Sequence, residues 1–194
     1  MIKIAGGRIL IMLLSFISMN ALAGEVALFR NSTNLITGTW NADGDGAPHS
    51  VSNTLQSGAG AYDSSNYYSL AYTTAGWYAG TGLNLSGWSA SGKDFTGLTT
   101  LKIALKNTGA PLIEIQINLV SGYDGTKAES EKYIIPGASI SGSYQVFTIP
   151  SSAFSKAGFT LSNVTEIMVG LIAADGSAGT FSIDGIAAVG ISPP

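Results

Sequence analysis

Over residues 112–119 apolar and polar positions alternate one for one. Ile113, Ile115, Ile117 and Leu119 fall on one side, and Glu114, Gln116 and Asn118 on the other. A period of two belongs to a β-strand with one buried face. Residues 101–106 alternate likewise, with Leu101, Ile103 and Leu105 against Lys102, Ala104 and Lys106. Between the two runs lie Asn107, Thr108, Gly109, Ala110 and Pro111, which is turn chemistry. The pattern predicts a hairpin at the centre of a β-sheet, with an unusually polar outer row on its second strand.

The same period recurs along the chain. Residues 25–29 read as a first strand. Residues 67–72 place Tyr68, Leu70 and Tyr72 on one face. Residues 77–85 form another strand, loosened by Gly80 and Gly82; glycine inside a strand marks a bulge or a close approach of another group. Further strands are expected over 133–135, 144–149, 165–172 and 179–189, and one helical turn over 151–157. Trp40 precedes a polar loop, residues 51–60 give no clear period, and 127–132 reads as a charged, exposed loop. Roughly ten short strands joined by turn signals, with no amphipathic helix and no internal repeat, predict an antiparallel β-sandwich of the jelly-roll type in a single domain.

Composition refines this picture at the N-terminus. Lys3 and Arg8 precede or flank a short apolar run over 9–19, and Ala21, Leu22 and Ala23 form a small-residue cleavage signal. This is a secretory signal peptide pattern, and the run is shorter than the about 20 residues a membrane span needs. The expected organisation is a signal peptide over 1–23 and a β-sandwich domain over 24–194, exported to the periplasm or outside the cell, with no membrane span after cleavage. Removing Lys3 and Arg8 leaves seven basic residues against twelve acidic ones, a net charge of −5. That balance argues against nucleic acid, which requires clustered Lys and Arg. The chain has no cysteine, so stability must come from packing and bound cations rather than disulfides.

Three segments resemble jelly-roll carbohydrate-binding modules of the galactose-binding-like class. The run from Tyr144 and Gln145 through Ile149 and Pro150 to Phe154 is similar to their strand-then-loop segment. Phe181, Ser182, Ile183, Asp184, Gly185 and Ile186 are similar to their closing strand, and residues 94–101 to the entry of their central strand. The resemblance covers roughly residues 67–189 and is weaker over 24–66. It implies a groove on one sheet face that binds glycans through aromatic platforms and amide or carboxylate side chains. It also implies a calcium ion near the first and closing strands, for which Glu25 and Asp184 are the candidate ligands.

The candidate ligand-binding residues follow. Glu114, Gln116 and Asn118 offer donors and acceptors spaced about 6.6 Å apart along the strand, a spacing comparable to a sugar ring. Among the aromatics Trp40, Trp77, Tyr78 and Tyr123, adjacent Trp77 and Tyr78 must point to opposite faces. Trp77, with Gly76 and Gly80 beside it, is the preferred stacking residue, together with Tyr123. Trp88 is expected in the core. Asn41, Asp43, Asp45 and Gly46 fit half of a calcium loop but lack its closing Glu, and read better as a turn. The Glu114 strand resembles that of laminarinase-like glycosidases, yet Gln116 and Asn118 stand where further carboxylates are needed. His49, the only histidine, has no catalytic partners in sequence. The expected function is therefore non-catalytic binding of a polysaccharide or oligosaccharide by an exported protein. A structural or adhesive matrix protein is the alternative, and a glycosidase-like enzyme the second.

Overall fold

A computed structural model describes residues 24–193, apart from 31, 44–49, 64–65 and 75–77. The signal segment, His49, Asp45, Gly46 and Trp77 thus lie outside the described residues.

Among the described residues thirteen strands build two antiparallel sheets. Sheet I contains β1 (Glu25–Arg30), β2 (Thr33–Asn34), β4 (Ser50–Ser57), β5 (Asn66–Thr73), β7 (Thr100–Asn107), β11 (Gln145–Pro150) and β13 (Ala178–Val189). Sheet II contains β3 (Gly38–Asp43), β6 (Tyr78–Asn84), β8 (Leu112–Ser121), β9 (Ala128–Glu129), β10 (Tyr133–Pro136) and β12 (Val164–Ala173). In sheet II the order is β10-β8-β12-β6-β3. In sheet I, β13 pairs with β7 on one side; on the other its first half pairs with β5 and its second half with β1. A bulge between Asp184 and Ala187, with Gly185 at φ 57°, separates the two halves. Among the described residues no helix is long and apolar enough to cross a membrane.

The inner faces follow the sequence alternation. Leu101, Ile103 and Leu105 of β7 and Phe181 and Ile183 of β13 are fully buried, as are Ile115, Ile117 and Leu119 of β8 and Ile167, Val169 and Leu171 of β12. These residues form the core between the sheets.

The expected central hairpin does not form. β7 lies in sheet I and β8 in sheet II, so residues 108–111 carry the chain from one layer to the other. Each strand has one apolar face, and these faces meet across the core rather than side by side. The crossing is tight: a Cβ on Gly109 would lie 2.2 Å from the Cα of Gly179. Ile113 also departs from the pattern. A register irregularity between Ile172 and Ala173, opposite the start of β8, leaves Ile113 62% exposed while Leu112 is buried. β3 and β4 were not readable as strands. The charged loop at 127–132 contains the two-residue β9 and a buried Ser130. The helical turn near 151 is a 3-10 turn over Ser151–Phe154.

Candidate functional site: the outer face of sheet II

Register fixes which side chains share this face. Trp40 pairs with Gly82, Met168 with Gly82 and Asn118, and Gly170 with Gly80 and Gln116. Directly paired residues point to the same side of a sheet. Trp40, Tyr78, Glu166, Met168, Glu114, Gln116 and Asn118 therefore stand together, as do the glycines between them.

The glycines make the face what it is. A Cβ on Gly82 would fall 2.1 Å from Trp40 Nε1, so the indole lies against bare backbone. Tyr78 does the same over two strands: a Cβ on Gly80 would be 2.6 Å from its hydroxyl oxygen, and one on Gly170 2.9 Å from its Cε2. Trp88 covers Gly38, whose Cβ would meet its Nε1 at 2.8 Å. Three aromatic rings are thus laid on glycine floor. Trp88 is 43% exposed, not in the core as expected. It sits in a loop with φ 60°, its N–H donating to Asn84 Oδ1 at 3.1 Å.

Hydrogen bonds to charged groups fix Trp40 and the polar row. Trp40 Nε1–H donates to Glu166 Oε2 at 2.8 Å, and Lys127 Nζ donates to Glu166 Oε1 at 2.8 Å. Glu166 is 1% exposed; two charge-assisted hydrogen bonds offset the cost of burying its carboxylate. Lys132 Nζ donates to Gln116 Oε1 at 2.8 Å, and Gln116 Nε2 donates to Glu114 Oε1 at 2.7 Å. Asn118 Nδ2 donates to Glu129 Oε2 at 3.4 Å and approaches Met168 Sδ at 3.7 Å. Burial raises the Tyr78 phenol pKa, and the negative charge of Glu129 adds to the effect. Tyr78 therefore stays a neutral hydroxyl near neutral pH.

Glu114, Gln116 and Asn118 do share one face, as the alternation implied. Tyr123 is half-buried just beyond β8. Its N–H donates to Thr126 Oγ1 at 3.1 Å, closing the turn that delivers Lys127 to Glu166. The residues that sequence reasoning passed over are Trp40 and Tyr78, weighed and set behind Trp77 and Tyr123, and Glu166, Lys127, Glu129 and Lys132. The available signal was the recurrence of glycine at 80, 82 and 170 within apolar strands, which made room for the aromatics.

Glu25 and Asp184 are not arranged as shared calcium ligands. Glu25 forms ion pairs with Lys102 and Arg30, so a dication there would meet two fixed positive charges. Asp184 Oδ2 accepts from the Tyr62 N–H at 2.7 Å and Oδ1 from its neighbour's Gly185 N–H at 2.6 Å. Its oxygens face donors, where a cation site needs them free. Among the described residues no group of three or more His, Cys, Asp or Glu could hold a metal ion. The donor set does not fit calcium.

No family model matches the sequence, and no curated protein matches it. Solved structures do match. A family 11 carbohydrate-binding module from Clostridium thermocellum, in complex with a β-1,3-1,4-mixed-linked tetrasaccharide, is 21% identical, with a TM-score of 0.61 over 89% of this chain and 99% of that one. A family 30 module of a cellulosomal cellulase of the same organism is 17% identical, with a TM-score of 0.61 over 86% and 97%. A β-1,2-glucanase from Parabacteroides distasonis matches at 16% identity and TM-score 0.59, over 87% of this chain but 26% of that one. The chain has the jelly-roll β-sandwich fold of carbohydrate-binding modules.

Proposed function

We propose that this protein binds a polysaccharide or oligosaccharide on the outer face of sheet II and does not cleave it. The observation that carries this reading is the set of aromatic rings laid on glycine floor beside a fixed amide and carboxylate row. Sugars offer an apolar C–H face and a rim of hydroxyls. Trp40 and Tyr78 supply flat surfaces for the first. Glu114, Asn118 and Glu129 supply acceptors, and Lys132 donors, for the second. Because the network is already assembled, little ordering cost falls on binding. The family 11 module solved with a bound tetrasaccharide supports the same choice of ligand class.

Absence of cleavage follows from the carboxylates. Glycoside hydrolysis uses two of them, one on each side of the scissile bond. Glu166 is buried and committed to Trp40 and Lys127, the positions following Glu114 on its face are amides, and the two remaining carboxylates, Glu114 and Glu129, each hold one of those amides, Gln116 and Asn118. In this reading the segment over 1–23 exports the protein to where such glycans occur.

The test is a glycan array followed by titration of tryptophan fluorescence. Wild-type protein is expected to retain at least one glycan, and Trp40→Ala to weaken that binding at least about tenfold, the loss of roughly 1.4 kcal/mol. No retained glycan with folded protein, or product release during incubation, would overturn the proposal.

A further inference from the structure

Among the described residues β4 pairs only with β5 and is an edge strand of sheet I, its first half touched by the Asn41 side chain of β3. Its eight residues carry no charge and no proline, and they run in unbroken register with β5 from Ser50 opposite Thr73 to Ser57 opposite Asn66. Exposed edges are normally blunted by proline, lysine, bulges or brevity. The other edges among the described residues are blunted: β2 and β9 have two residues each, β3 ends at the charged Asp43, β10 has four and ends at Pro136, and β11 ends at Pro150. β4 is not blunted.

Its outward groups can be assigned. Along an antiparallel edge every second residue turns both N–H and C=O away from its partner. The Val51 C=O accepts from Asn41 Nδ2 at 3.1 Å, which assigns Val51, Asn53, Leu55 and Ser57 to the outward set. Asn53 Nδ2 donates to buried Thr81 Oγ1 at 2.8 Å, so the side chains of that set lean toward sheet II. Leu55 shares this side yet is 51% exposed.

We propose that two copies of this chain join edge to edge through β4. The strands run antiparallel about a two-fold axis at Asn53, which merges the two seven-stranded sheets into one. Directly opposed residues must lie on one face, and outward residues must oppose outward ones, so the axis passes through a residue rather than between two. At Asn53 the register sets Val51 against the partner's Leu55, covering the exposed leucine on both sides. On the other face it sets Ser52 against the partner's Thr54 and Ser50 against the partner's Gln56. An axis at Thr54 would set Leu55 against the partner's Asn53 and Val51 against the partner's Ser57, leaving both apolar side chains opposite polar ones, and an axis at Leu55 engages only residues 53–57. In a chain of formal charge −3, an uncharged strand is also where two copies repel least.

A contact of one strand pair is smaller than the about 1,200 Å² of a standard interface, so the dimer is expected to be weak and concentration-dependent. Sedimentation equilibrium over roughly micromolar to millimolar protein reads it directly. The expected result is monomer at the low end and dimer at the high end. Leu55→Lys, which sets a charge against the partner's Val51, should weaken dimerisation at least about tenfold while leaving glycan retention by sheet II unchanged. If Leu55→Lys fails to fold, Thr54→Lys on the exposed face decides. A wild-type monomer throughout the range overturns the proposal, as does a folded variant that dimerises as wild type does.

Discussion

Gly82 has no side chain, yet it decides how Trp40 is held. The indole nitrogen sits 2.1 Å from where a Cβ would be, so any larger residue must lift the ring from the sheet. Lifting it also breaks the Trp40 bond to Glu166, leaving the buried carboxylate with Lys127 as its remaining ionic partner. Removing one partner from a buried charged group costs about 1–3 kcal/mol. Gly82→Ala is therefore expected to lower stability by about that amount and to weaken glycan binding as far as Trp40→Ala does. Urea melts and fluorescence titrations measure the two effects separately. A variant that loses stability but binds normally would show that the flat indole is structural only. Glycine in a strand was visible from the sequence as a place of close approach. What approaches was not visible, because Trp40 lies 42 positions away and its pairing with Gly82 exists only once β3 joins sheet II.

At the level of elements, alternation told the inner face of β8 from the outer one but could not tell its neighbours. β7 and β8 show the same pattern whether they pair in one sheet or face each other across the core, and a four-residue connection permits either. The same limit hid β3 and β4, whose residues are too polar for a readable period. The junction of β1 and β13 carries two carboxylates with opposite pH behaviour. Lys102, and then Arg30, hold the Glu25 pKa below its ordinary value of 4.5. A lowered folded pKa gives stability above the unfolded value that is lost as pH falls through the folded one. Burial raises the Asp184 pKa, and its contribution runs the other way, present at low pH and lost as pH rises through the folded value. Glu25 and its partners are partly exposed, so the pairs are worth about 0–1 kcal/mol. Glu25→Gln should therefore narrow the stability difference between neutral pH and about pH 3 by up to that amount, relative to wild type, in parallel chemical denaturation. An unchanged or widened difference would mean that the ion pairs contribute nothing in solution.

At the scale of the whole molecule, the question is what ties the strands of this sandwich together without disulfides. The chain has no cysteine. Where the resemblance implied calcium between the first and closing strands, protein groups already satisfy both carboxylates. Lys102 and Arg30 neutralise Glu25, joining β1 to β7, and the amides of Tyr62 and Gly185 satisfy Asp184, fastening the segment before β5 onto β13. These are fixed connections between the same elements a bound cation would join, and they need no ion. The consequence is measurable because ligand linkage is large. A calcium ion present at 1,000 times its Kd adds about 4.1 kcal/mol to folding, and a domain of 150–250 residues gains about 2–4 °C in Tm for each kcal/mol. A site of that strength would raise Tm by about 8–16 °C. The expected result is equal melting temperatures in calcium and in chelator, while Lys102→Gln lowers Tm in both. A calcium-dependent rise of several degrees in the wild type would place a cation where Glu25 and Asp184 now hold other partners.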